Sequence, residues 1–236
     1  RRSISPTAST KPPVSNFPVY TPPKRVCRIL LAKADQAFSI AEMLTRFARV
    51  AEQSSEFQGH GWGCAWLDDD GWQQYHNIQP VWKDDFTGFA ETRLLLVHAR
   101  SAFRDEGIVV ENNMPFSDGE SVFIFNGELR GVRINAEGRI GAEKIYNYIR
   151  RFDKGDKLNA LERAVGIIKK RSSYIRAMNI LLSDGKRHFL STNYSEDPAY
   201  FQMHAKKRDG LQLVCSQPFD DESDWQLIEN NTTIEL

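Results

Sequence analysis

Apolar and polar positions alternate between two periods along this chain, and the change of period marks its elements. Cys27-Arg28-Ile29-Leu30-Leu31-Ala32 reads as a short buried strand. Behind it, Ser39-Ile40-Ala41-Glu42 forms a capping box, and Ile40, Met43, Leu44, Phe47 and Val50 recur at helical spacing, which predicts a helix to about Glu52. Gly61 to Leu67 and Gly71 to Tyr75 flank Asp69-Asp70-Gly71, a hairpin signal, and the glycines beside Trp62 imply that another backbone or a ligand passes close. A short helix is expected near Phe89, then a buried strand from Thr92 to Ala99, then turn chemistry from Gly107 to Glu120. Ile145, Ile149 and Phe152 give one helix after Gly138, and Leu158, Leu161, Val165 and Ile168 a second. Strands follow over Tyr174 to Leu182, Lys186 to Thr192, Tyr200 to Ala205 and Leu211 to Ser216, with turns at Asp184-Gly185 and Asp209-Gly210. Helices grouped between strand sets imply stacked layers, an α+β fold, rather than a repeating parallel unit.

The run Val122-Phe123-Ile124-Phe125 stops on Asn126-Gly127. Two readings of that stop are open. Asn-Gly after a β-rich run is a strong signal for a two-residue hairpin turn, because both central residues of a type I′ turn need positive φ. Alternatively, the Asn126 amide and the Gly127 N–H form a pair of donors for a developing oxyanion, where a side chain at the second position would block close approach.

Composition narrows the partners. With 236 residues, 41% hydrophobic, the chain can bury a substantial core. The first 26 residues hold six of the ten prolines and five basic residues with no acid, so they read as an extended tail or propeptide ahead of one domain from 27 to 236. The rest carries the balancing negative charge and has no dense Lys/Arg stripe, which argues against nucleic acid as partner. No run reaches membrane-spanning length. Three cysteines without paired spacing argue for a reducing, cytoplasmic setting, and no Cys/His cluster has zinc-ligand spacing; no metal or other cofactor is expected.

Among candidate chemical groups, Cys64 and Cys215 read as small buried hydrophobes. Cys27 differs by its relation to the tail: with residues 1 to 26 removed, its own α-amine could activate its thiol, although a merely packed cysteine is the simpler reading. Arg100, at a strand end, is either a bidentate clamp for a carboxylate or a surface cation. His60 and His98 lack the Ser or Asp spacing of a catalytic triad.

Six segments in order nevertheless resemble one family. Cys27-Arg28-Ile29-Leu30, His60-Gly61-Trp62-Gly63, Val97-His98-Ala99-Arg100, Asn113-Met114-Pro115-Phe116, Phe125-Asn126-Gly127-Glu128-Leu129 and Cys215-Ser216-Gln217-Pro218-Phe219 are similar to motifs of the class II (N-terminal nucleophile) glutamine amidotransferases, especially the small single-domain group related to ergothioneine-pathway and glutathione-degradation amidohydrolases. The resemblance implies a four-layer αββα sandwich that hydrolyses a glutamine or γ-glutamyl amide. It implies Cys27 as nucleophile with its free amine as base, Asn126 and Gly127 as oxyanion hole, and Arg100 as clamp on the substrate carboxylate. The chain departs from the family pattern at four places: Gly141 stands for the Asp that binds the substrate ammonium, Phe125 for a His, His60 for an Asp, and Phe103 for a small polar residue. Val26 also precedes Cys27, so loss of an initiator Met would not free the amine. A non-catalytic amidotransferase-like module, with the tail as contact arm to a partner protein or a second copy, is the other class of function open.

Overall fold

The computed structural model describes residues 26–102 and 106–236. Residues 1–25 and Phe103 lie outside the described residues. In chain order the elements are β1 (Arg28–Ser39), α1 (Ile40–Glu52), β2 (Trp62–Asp68), β3 (Gly71–Asn77), β4 (Glu91–Ala99), β5 (Phe116–Ser117), β6 (Val122–Arg130), α2 (Gly141–Arg150), α3 (Lys157–Arg171), β7 (Tyr174–Ser183), β8 (His188–Thr192), α4 (Pro198–Phe201), β9 (His204–Arg208), β10 (Leu211–Cys215), β11 (Gln226–Leu227) and β12 (Thr232–Glu235). They build two sheets of antiparallel pairs, ordered β11-β9-β10-β1-β4-β2-β3 and β12-β8-β7-β6-β5.

The continuous apolar run of β1 is explained by burial on both faces. Ile29 and Leu31 point into the core shared with β6, β7 and helices α2 and α3, whereas Leu30 and Ala32 pack with Leu44 and Phe47 of α1. Strand β4 divides in the same way, with Leu94 and Leu96 on the first side and Leu95 and Val97 on the second. The result is a layered α-β-β-α sandwich. Helix α1 starts where its capping box does: Ser39 accepts the Glu42 N–H at 3.2 Å.

Several local readings need correction. The chain does not stop or turn at Asn126-Gly127; β6 runs through both and on to Arg130, with Asn126 opposite Asn179 and Gly127 opposite Met178. The glycine is there for proximity: a Cβ on Gly127 would lie 2.1 Å from the Ala177 carbonyl oxygen of β7. The expected strand from Tyr200 is instead the one-turn helix α4, which Pro198 opens at its first positions, and the strand begins at His204. No helix forms around Phe89, whose N–H closes a turn on Phe86 O; the helical turn of this stretch is a 3-10 turn at Val81–Lys83. The short strands β11 and β12 escaped the sequence pattern. The turns at Asp184-Gly185 and Asp209-Gly210 are where expected, Asp209 and Gly210 both with positive φ.

Gly127→Ala should therefore force β6 and β7 apart. Urea unfolding is expected to show a loss of about 1–3 kcal/mol, the usual range for overpacking a close contact.

Candidate active site

Because β1 is bonded to β10 on one side and β4 on the other, its first residue is placed firmly. Arg28 pairs with Ala99, so Cys27 meets the chain leaving β4, which is Arg100-Ser101. The Cys27 sulfur accepts the Ser101 N–H at 3.5 Å and lies 3.8 Å from the Ser101 carbonyl oxygen. Burial pushes this thiol up to about 11, only partly offset by the Ser101 contact and the Arg100 charge, so at neutral pH it is a protonated thiol.

Arg100 is no surface cation: 6% of it is exposed. Its guanidinium donates to Gly107 O at 2.8 Å and Asn113 Oδ1 at 3.3 Å. Asn113 in turn donates to Asn77 O at 2.9 Å, and Gly61 and Gly63 make room for this turn: a Cβ at Gly63 would sit 2.6 Å from Met114 O. The close approach expected beside Trp62 is thus that of another backbone. His60, placed where the family has Asp, still acts as an acceptor, taking the Ala102 N–H on Nδ1 at 2.8 Å. That bond ties the segment after Arg100 to the loop that leads into β2. His98 is fully buried, and desolvation with the neighbouring Arg100 charge lowers it to about 3, so it stays neutral.

Cys27, Arg100, Ser101, Gly127 and Gly141 line one cavity of about 660 Å³ between the C-terminal half of β6, the start of α2 and the loop after β4. Phe125, in place of the family's His, contributes a buried apolar wall. Asn126 behaves differently. Its side chain is fully buried, does not line the cavity, and neither its Oδ1 nor its Nδ2 has a hydrogen-bond partner among the described residues. The thiol bonds recorded here go to Ser101, not Asn126. Gly141 opens α2 with nothing within 4 Å of the position a Cβ would take.

Sequence reasoning missed the side chains gathered around the peptide bond before Cys27: Gln58, Tyr200, Glu56 and, behind Glu56, Arg176. Val26 is 1% exposed and packs with Ala177, Tyr200 and Phe201. Its carbonyl oxygen accepts from Gln58 Nε2 and Tyr200 Oη, both at 2.7 Å, while its N–H is directed to the Glu56 carboxylate. Glu56 is fixed by Arg176 of β7 at 3.0 Å, which also holds Asp197 at 2.7 Å. Burial raises Glu56 above its ordinary value against the pull of Arg176. No spacing signal links residues 26, 58, 176 and 200; only the fold brings them together.

No family model matches the sequence, and no curated protein matches it. Solved structures do match. A glutamine aminotransferase class-II domain protein from Silicibacter pomeroyi superposes with a TM-score of 0.62 at 15% identity, over 89% of this chain and 94% of that one. The fold is that of the class II glutamine amidotransferases. Glutamine phosphoribosylpyrophosphate amidotransferase from B. subtilis, complexed with ADP and GMP, gives 0.60 at 12% identity; the match covers 80% of this chain but only 42% of the enzyme. A predicted glutamine amidotransferase from Pseudomonas aeruginosa gives 0.50 at 16% identity over 90% and 96%. The amidotransferase-like architecture expected from the six motifs is therefore the one observed.

The raised thiol has a direct test. Iodoacetamide labelling of Cys27 should be slow at pH 7 and rise with an inflection near pH 11; fast labelling at neutral pH would mean that a base is present after all.

Proposed function

We propose that this protein is a glutamine amidotransferase type 2-like amidohydrolase, active on a glutamine-type or γ-glutamyl amide once Cys27 carries a free α-amine. The observation that carries the reading is the convergence of Cys27, Arg100, Ser101 and Gly127 on one cavity. Arg100 would bind the substrate carboxylate, its fork being held by Asn113 and Gly107. The amine, with an ordinary pKa of about 7.7–8.0, would take the thiol proton. The sulfur would then add to the amide carbonyl, with the Gly127 N–H and Asn126 as the proposed donors to its developing oxyanion. The carbon–nitrogen bond breaks, ammonia leaves with the proton, and water hydrolyses the Cys27 thioester to the carboxylate. Three unpaired cysteines accord with a cytoplasmic setting, and no helix of the described residues is long and apolar enough to cross a membrane.

A second reading is favoured by Val26. While the Val26–Cys27 peptide is intact, the nitrogen is a non-basic amide, and three hydrogen bonds plus a packed side chain hold it in place. In that form the chain is a non-catalytic module that binds in the same cavity, with the basic tail as a contact arm for a partner protein.

The two readings part in one experiment. A variant beginning at Cys27 should release ammonia or glutamate from glutamine or γ-glutamyl peptides, and the uncleaved chain should fall short by at least the roughly 10²–10⁴-fold that general-base assistance supplies. Turnover by the demonstrably uncleaved chain would overturn the mechanism. A folded but silent Cys27-start variant would leave the binding module. In either form Arg100→Ala should weaken a carboxylate ligand by about 1.5–3 kcal/mol in a calorimetric titration, the scale of a lost charged hydrogen bond.

A further inference from the structure

We infer that the cavity selects a glutamine-type amide whose α-nitrogen is acylated by an aliphatic chain, and rejects the free amino acid. This rests on the reading of Arg100 and Cys27 given above and specifies the substrate class of that site.

The cavity lining combines two chemistries. With Cys27 and the buried Arg100 it includes Ser101, whose hydroxyl is buried with no hydrogen-bond partner among the described residues, a ready donor to a carboxylate. Its apolar lining is Phe125, Leu129, Val132, Ile140, Ala142 and Ile145. A volume of about 660 Å³ is that of a site for a drug-sized ligand, well beyond the needs of a single small amino acid.

Among the described residues, an α-ammonium would find no unengaged buried carboxylate there. Of the carboxylates among the described lining residues, Glu128 is engaged by Arg130 at 2.6 Å and faces Arg176 at 3.6 Å, and Glu106 is exposed. Lys144 adds positive charge to the lining, whereas Arg139 is compensated by Glu143 at 2.7 Å. Burying an unpaired ammonium among apolar walls and cations is unfavourable, whereas an acylated nitrogen is neutral and its chain covers those walls. Packing does not impose this arrangement. Gly141 faces open space, and an Asp there would clash with nothing and would suit the positive end of α2.

The full chain carrying Cys27→Ala, which cannot turn over, is titrated calorimetrically with N-octanoyl-L-glutamine, L-glutamine and octanoate. The acylated glutamine should bind at least tenfold more tightly than either of the others, Ser101→Ala should weaken it severalfold, and Gly141→Asp should shift the ratio at least tenfold toward L-glutamine while leaving the melting temperature no lower. Glutamine binding as well as its acyl derivative, with dependence on Arg100, would overturn the inference and leave the proposed function standing. Octanoate matching the acylated glutamine would likewise overturn it, as the site would then be one for plain aliphatic acids. Binding of none of the three would remove the cavity as a ligand site and with it the reading on which the inference rests.

Discussion

Placement of Cys27 depends on one constraint: β1 is hydrogen-bonded along both edges, to β10 and to β4, and is buried on both faces. A strand so enclosed has no freedom of register, because a slip of one residue would exchange Ile29 and Leu31 with Leu30 and Ala32 between two different cores. The residue just before it is consequently fixed to within a hydrogen bond of Ser101, and Arg100, one residue past the partner strand, is delivered to the same spot. Precision at the site comes from pairing in the sheet, not from contacts within the site, several of whose polar atoms are unpartnered.

The second sheet contributes through closeness. Gly127 lets β6 lie against the Ala177 carbonyl, which brings the backbone after Phe125 to the cavity and leaves Asn126 turned into the interior opposite Asn179. Asn179 is fully bonded, to Phe201 O and Thr192, whereas Asn126 has neither partner nor solvent. A buried amide in that condition is destabilising by on the order of 1–3 kcal/mol and gains by rotating toward any acceptor or oxyanion that enters.

Most of the fold was legible because its signals are local. The capping box at Ser39, the heptad-like spacing in α1, α2 and α3, and the Asp-Gly turns each depend on neighbours within a few residues. Asn126-Gly127 misled for the opposite reason: as a dipeptide it is a turn, and only the long-range approach of Ala177 makes the glycine a strand residue. Tyr200 misled because Pro198 starts a helix that an apolar pattern alone reads as strand. For the site, the resemblance gave Cys27, Arg100, Asn126, Gly127 and Gly141 as a set; all of these but Asn126 line one cavity. The socket around Val26 had no such trace, since Gln58 and Tyr200 are 142 residues apart in sequence and meet at one oxygen atom.

That socket sets the relation between the two possible states of the protein. Glu56 and Arg176 form a buried pair whose geometry is maintained by Asp197, and through Glu56 and Gln58 this pair acts on the peptide that precedes the nucleophile. Buried pairs of this type are poor sources of stability but good at specifying a single arrangement, because removing one partner strands the other charge. The arrangement they specify here is one in which Val26 is seated, its carbonyl doubly bonded and its side chain packed against Phe201. If residue 26 is removed, Gln58 and Tyr200 lose the Val26 carbonyl and Glu56 its N–H, while Arg176 still holds Glu56, and a new α-ammonium on Cys27 would arise near that pair. Glu56 would then favour the charged form of that amine only to the extent that Arg176 leaves its carboxylate uncompensated.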